Sequence, residues 1–142
     1  MLLFLTRHGE TEWNQLKKTQ GTHDTCLTDL GLIQAEKLGE RLRRKNSINT
    51  IYCSDLKRAQ QTAEIIGDKV GVSPVSNELL REVCFGHWEG LSIKEIENKY
   101  PGQLARWRND FYFSPKGGES LSSVYYRINS FIKIIDDSHQ IH

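Results

Sequence analysis

At 142 residues, 37% hydrophobic and 26% charged, the chain is long enough to bury a core of its own, and one domain over residues 1–142 is expected. A net charge of +1 supplies no global field for nucleic acid or a membrane surface, Met1 to Thr6 is too short for a signal segment, and no apolar run reaches membrane-spanning length, so a cytoplasmic protein is expected. Three cysteines without CxxC spacing and five histidines without an HExxH or Cys/His cluster predict neither a disulfide framework nor a metal site, and suit small buried thiols in a reducing compartment.

Leu2 to Leu5 is continuously apolar, the pattern of a strand buried on both faces. A polar loop follows to about Cys26. Thr28 is placed to N-cap a helix in which Leu32, Ala35, Leu38 and Leu42 recur on one face as far as Asn46. Arg41, Arg43, Arg44 and Lys45 at its end suit the negative pole of the helix dipole, and no aromatic residues are interleaved to make a nucleic-acid patch. "NTIYCS" reads as a second strand. Asp55 opens a second helix with Leu56, Ala59, Ala63 and Ile66 inward, stopping near Gly71. "VSPVS" is a third strand whose proline marks an end or an edge. Leu79 to Leu91 is irregular, broken by Gly86 and Gly90. Ser92 and Glu95 form a capping box for a short helix that ends before Pro101. A further amphipathic stretch covers Gln103 to Phe111, and "SPKGGE" is a loop. Ser120 then caps a long helix with Leu121, Val124, Ile128, Phe131, Ile132 and Ile135 as its buried stripe. Strands alternating with helices predict an α/β fold, a sheet with helical layers. The sheet is thin for so many amphipathic helices, and the pattern is unfinished after Asp137.

Ligands of open α/β sheets sit beyond the carboxyl ends of strands, and Arg7-His8-Gly9 is predicted to lie at such an end. Gly9 lets backbone turn closely around a ligand, Arg7 offers a fork of donors matched to phosphate or carboxylate, and His8 has a nucleophilic ring nitrogen if the other is held by a hydrogen bond. Taken alone, these residues read more simply as a solvent-facing histidine at a strand end. Arg58, one turn into the helix after the second strand, points to the same pocket, with a surface pair to Asp55 as its simpler reading. Glu82 sits among Leu79, Leu80, Val83 and Phe85, surroundings that favour the protonated form a proton donor needs; its simpler reading is a surface pair with Arg81.

"LTRHGETEWN", "QGTHDTCLTDLG", "IYCSDLKRAQQTAEII", "LREVCFGHWEGLS" and "GGES", in this order and spacing, resemble the histidine phosphatase superfamily, the phosphoglycerate mutase-like group in its bacterial phosphatase branch. The resemblance covers essentially the whole chain and outweighs the simpler reading of each residue. It implies a three-layer α/β/α fold with a mostly parallel sheet. It implies His8 as the nucleophile that becomes phosphohistidine, with Arg7 and Arg58 as its phosphate clamps. Asn14 is implied as a further phosphate-side donor, and Gln20 and Gly21 as part of the loop lining the substrate entrance. Glu82 is implied as the acid that protonates the leaving alkoxide and then the base that activates water. No cofactor and no metal are implied, fixed positive charge and hydrogen bonds taking a metal's place.

One departure from the family is large. Members carry a second catalytic histidine in an "SHGG"-like motif after a further apolar strand, and here Ser138-His139 has neither the strand before it nor the glycines after it. Neither His139 nor His142 is expected to substitute. The chain therefore reads as truncated at its C-terminus, lacking its last strand or strands and a helix, with weak or no activity. A homodimer or strand-exchanged oligomer through an exposed sheet edge is a further expectation. The expected function is hydrolysis of a small phosphorylated metabolite, alpha-ribazole 5′-phosphate among the candidates because "GHWEGLS…PKGGES" resembles the alpha-ribazole phosphatases of cobalamin synthesis. Mutase-type phosphoryl transfer ranks below it, since the longer insertion of mutases is missing, and a non-catalytic phosphate-binding or self-associating fragment is the reading from another class.

Overall fold

The structure, a computed structural model, describes residues 2–45 and 48–139, with side chains as far as Asp136. Packing divides the chain into two units, Met1–Gln15 with Asp24–Asn77, and Leu16–His23 with Glu78–His142.

In the first unit the local signals set the elements: α1 (Glu12–Gln15), α2 (Asp29–Arg43), β1 (Ile51–Cys53), α3 (Lys57–Val70) and β2 (Pro74–Ser76). Thr28 has extended backbone and its hydroxyl accepts from the Gly31 N–H at 3.1 Å, starting α2 where predicted. The predicted end of this helix at Asn46 lies outside the described residues. Gly71 ends α3 at φ 80°, a left-handed cap that glycine adopts without strain. β1 and β2 pair in parallel, Ile51 beside Pro74 and Cys53 beside Ser76, and Val75 on the edge strand is exposed.

Two expectations for this unit need correcting. Leu2, Leu3, Phe4 and Leu5 form no strand and are 74, 59, 43 and 89% exposed. A strand is made by its ladder, and among the described residues only β1 and β2 make a sheet. The run has the hydropathy of a doubly buried strand without the neighbours that would bury it. The second correction concerns α2. Its buried face is Gly31, Ala35 and Gly39, while Leu32, Leu38 and Leu42 are half-buried. The reason is close packing on α3: a Cβ on Gly39 would stand 2.8 Å from the Lys69 Cγ. Small residues four apart let the helices approach, so size rather than hydropathy chooses the inner face.

The second unit carries α4 (Ile93–Lys99), α5 (Gln103–Asn109) and α6 (Leu121–His139), with single 3₁₀ turns at Glu78–Leu80 and Gly86–Trp88. The predicted capping box is present: Ser92 Oγ accepts from the Glu95 N–H and the Glu95 carboxylate accepts from the Ser92 N–H. Ser120 Oγ accepts from the Ser123 N–H at 3.2 Å, at the predicted start of α6. The core is Trp88, Ile96 and Leu104, ringed by Phe85, Leu91, Tyr100, Trp107 and Phe113. α6 packs on the 3₁₀ turn at Glu78–Leu80 and buries Phe131 and Ile135. Ile132 departs from the predicted stripe at 44% exposure. At 100° per residue it falls on the margin of the arc that Ile128, Phe131 and Ile135 share.

The cysteines are all free, and the expectation of buried thiols fails at Cys26, which is exposed, while Cys53 and Cys84 are half-buried. No helix among the described residues is long and apolar enough to cross a membrane.

Candidate active site

The first unit gathers His8, Gly9, Arg58 and Thr62 through a short chain of hydrogen bonds. His8 Nδ1 lies 2.7 Å from the Gly9 carbonyl oxygen. A carbonyl only accepts, so Nδ1 carries the ring proton and Nε2 keeps its lone pair, the state a nitrogen nucleophile needs. The Gly9 N–H donates to Thr62 Oγ1 at 3.1 Å, and the Thr62 hydroxyl donates to the Arg58 carbonyl at 2.7 Å. Thr62 is buried on α3, four residues after Arg58 on the same face, and it ties the His8 loop to the helix that carries the arginine. Sequence reasoning missed Thr62. Its signal was a polar residue on the inner stripe of an amphipathic helix.

Gly9 makes a close approach of its own. A Cβ there would stand 2.3 Å from the Gly31 carbonyl oxygen, so the missing side chain admits the first turn of α2. Glu10 locks that contact: its N–H donates to Gln34 Oε1 at 2.9 Å and its carboxylate accepts from the Thr28 hydroxyl at 2.8 Å. Asn14 turns its Oδ1 to the Thr11 N–H at 3.0 Å and hydroxyl at 2.9 Å, which leaves its amide NH₂ as the donor. Ser54 is buried and accepts from the Leu56 N–H, and Asp24 accepts from the Lys57 N–H at 2.9 Å, so two backbone donors entering α3 are already engaged.

Arg58 is 1% exposed, whereas Arg7 is on the surface. Burial first, then the charges of Arg58 and Arg7, push the His8 imidazole below its ordinary value near 6.5, against the opposing pull of the Gly9 carbonyl. Both guanidinium charges therefore bear on one ring although they stand far apart in sequence. The neutral ring is favoured at neutral pH. Because folding disfavours the protonated form, His8 contributes fully above about pH 6.5 and costs stability as pH falls below it. A proton NMR titration of the His8 ring is expected to show a midpoint below 6.5, and a midpoint above 6.5 contradicts this electrostatic account.

The remaining predicted residues belong to the second unit. Glu82 is half-buried between the 3₁₀ turn at Glu78–Leu80 and Cys84. Gln20 is 4% exposed. Gly21 has φ 58°, and a Cβ on it would meet Glu89 Oε1 at 2.1 Å. That oxygen accepts from the Thr22 N–H at 2.9 Å, the Thr22 hydroxyl at 3.2 Å and the Phe85 N–H at 3.1 Å. Glu89 thus fastens the loop of Gln20 and Gly21 to the segment after Glu82, which the sequence alone did not suggest.

The chain belongs to the histidine phosphatase superfamily (branch 1), whose family model matches residues 3–142. Phosphoserine phosphatase 1 of Hydrogenobacter thermophilus is 35% identical over 138 residues, covering 96% of this chain and 65% of that protein. A phosphoglycerate mutase of Schizosaccharomyces pombe is 35% identical over 137 residues, covering 93% and 65%. The crystal structure of the alpha-ribazole phosphatase from Shigella flexneri superposes with a TM-score of 0.82 at 28% identity, covering 94% of this chain and 66% of that one. The chain thus spans 65% of the length of both curated relatives.

Proposed function

We propose that the protein hydrolyses small phosphomonoesters through a phosphohistidine formed on His8. The observation that carries this reading is the His8 ring itself, with Nδ1 held by the Gly9 carbonyl and the charges of Arg58 and Arg7 bearing on it. The Nε2 lone pair attacks phosphorus, and the bond from phosphorus to the leaving oxygen breaks. Arg7 and Arg58 supply positive charge to the transferring oxygens in place of a metal ion, and the Gly9 carbonyl stabilises the positive ring that results. Glu82 is the proposed donor of a proton to the leaving alkoxide, on the strength of its place in "LREVCFGHWEGLS". Water then displaces the histidine, Glu82 takes a proton from it, and inorganic phosphate leaves with the ring neutral again.

Similarity to a phosphoserine phosphatase and an alpha-ribazole phosphatase supports a small phosphorylated metabolite as the substrate class, and alpha-ribazole 5′-phosphate belongs in any panel of trial substrates. The test is rapid denaturing quench after mixing with a ³²P-labelled phosphomonoester. The expected product is protein-bound label that is labile to acid, stable to alkali and located on His8. Absence of bound label, or label on a hydroxyl or carboxyl side chain, refutes the reading. Label that passes to an added phosphoglycerate in preference to water marks a mutase instead.

A further inference from the structure

We infer that Glu119 and Arg127 are positioning residues for Glu82, acting as a clamp on both sides of the backbone that carries it. Arg127, near the start of α6, donates from Nε to Glu119 Oε1 at 3.0 Å and from Nη2 to Oε2 at 3.2 Å. Its remaining Nη1 donates to the Leu79 carbonyl at 2.7 Å, three residues before Glu82. Glu119 Oε2 also accepts from the Cys84 N–H at 2.9 Å, two residues after Glu82, and the Glu119 N–H donates to the Cys84 carbonyl at 2.7 Å. The Trp107 indole closes the arrangement by donating to the Glu119 carbonyl at 3.2 Å. One guanidinium and one carboxylate therefore hold Leu79 and Cys84 at once.

The need for such a clamp follows from local structure. Between the 3₁₀ turns at Glu78–Leu80 and Gly86–Trp88 the chain is neither helix nor strand, so no repeating ladder fixes the Glu82 backbone. Proton transfer demands placement to a fraction of an ångström, and an irregular segment reaches that only through side chains that are themselves held. The pair meets this condition. The Arg127 and Glu119 side chains are 15 and 27% exposed, and their fork-to-fork bonding fixes both. Burial pushes the Glu119 carboxyl up, but hydrogen bonds from Arg127 and the Cys84 N–H, with the Arg127 charge, outweigh it and hold the group below its ordinary value. It stays ionised down to moderately acid pH. A wholly structural pair would hold the second unit together without regard to where Glu82 sits, and this is the alternative to be excluded.

The inference rests on the reading of Glu82 as the proton donor. Its test compares single-turnover phosphorylation of His8 from two donors. 4-Nitrophenyl phosphate has a leaving group that departs without protonation; an alkyl phosphate of the same charge requires it. Glu82→Gln serves as the reference, with Glu119→Gln and Arg127→Met as the test variants and circular dichroism melts to confirm folding. Arg127→Lys is the conservative variant, because one ammonium reaches Glu119 or Leu79 but lacks the fork that binds both. Glu82→Gln, Glu119→Gln and Arg127→Met are expected to slow the alkyl donor by about 100-fold and the nitrophenyl donor by less than about 3-fold. Arg127→Lys is expected to fall between parent and Arg127→Met on the alkyl donor alone. Equal losses on both donors for the clamp variants, or no loss, with Glu82→Gln still selective, overturn the clamp alone. A Glu82→Gln variant that slows both donors alike overturns the reading of Glu82 and the clamp with it. The same holds for a folded parent that accepts phosphate from neither donor.

Discussion

Replacing His8 with asparagine is expected to lower phosphoryl transfer by about 10⁴-fold or more, the scale seen when a covalent nucleophile is removed. Asparagine is the informative choice because its amide N–H can still donate to the Gly9 carbonyl, the bond His8 makes at 2.7 Å. The loop then keeps its link to Thr62 and α3 through the Gly9 N–H, and the outer edge of the ring, Cε1 and Nε2, is lost. Thermal stability is expected to change by no more than about 1 kcal/mol, since the ring is half-buried and its one described bond is preserved. Steady-state hydrolysis and the quench assay measure the first effect, and a melting curve the second. A His8→Asn variant that keeps more than about a tenth of parental turnover removes His8 from the chemistry.

Arg58→Met is expected to weaken binding of inorganic phosphate by on the order of 100-fold, the worth of a charge-assisted hydrogen bond of about 2–3 kcal/mol. Methionine keeps most of the apolar stem of a side chain that is 1% exposed, so the change falls chiefly on the charge. The variant also removes a charge that disfavours protonation of His8, and the titration midpoint of the ring is expected to rise. Arg7→Met moves the same midpoint in the same direction by less, because Arg7 is exposed and its influence on His8 ranks below that of Arg58. Phosphate titrations followed by NMR report both quantities on one sample. Unchanged phosphate affinity in Arg58→Met contradicts the assignment of Arg58 as an anion clamp.

Local chemistry made much of this molecule legible. Thr28, the Ser92–Glu95 box and Ser120 start their helices where an N-cap must stand, because capping is settled within four residues. The motif around His8 and the arginine in the first turn of α3 were likewise visible, and the structure links them through Gly9 and Thr62. What sequence could not supply was the neighbour. Leu2 to Leu5 has the composition of a buried strand, but burial belongs to the pairing partner as much as to the run itself. The inner face of α2 was misread because Gly31 and Gly39 carry no hydropathy signal, although their lack of a side chain is what lets other backbone and α3 come close. Glu89, Glu119 and Arg127 carried no role in the reading of the sequence. Their importance comes from reaching backbone groups of Phe85, Cys84 and Leu79, and no periodicity in a sequence encodes such contacts.

The most direct measurement is the position of phosphorus on the trapped ring, read by ³¹P and ¹⁵N NMR of the phosphorylated protein under alkaline denaturing conditions. Because the Gly9 carbonyl holds the proton on Nδ1, phosphorus is expected on Nε2 of His8. Phosphorus on Nδ1, or on any residue other than His8, contradicts the account.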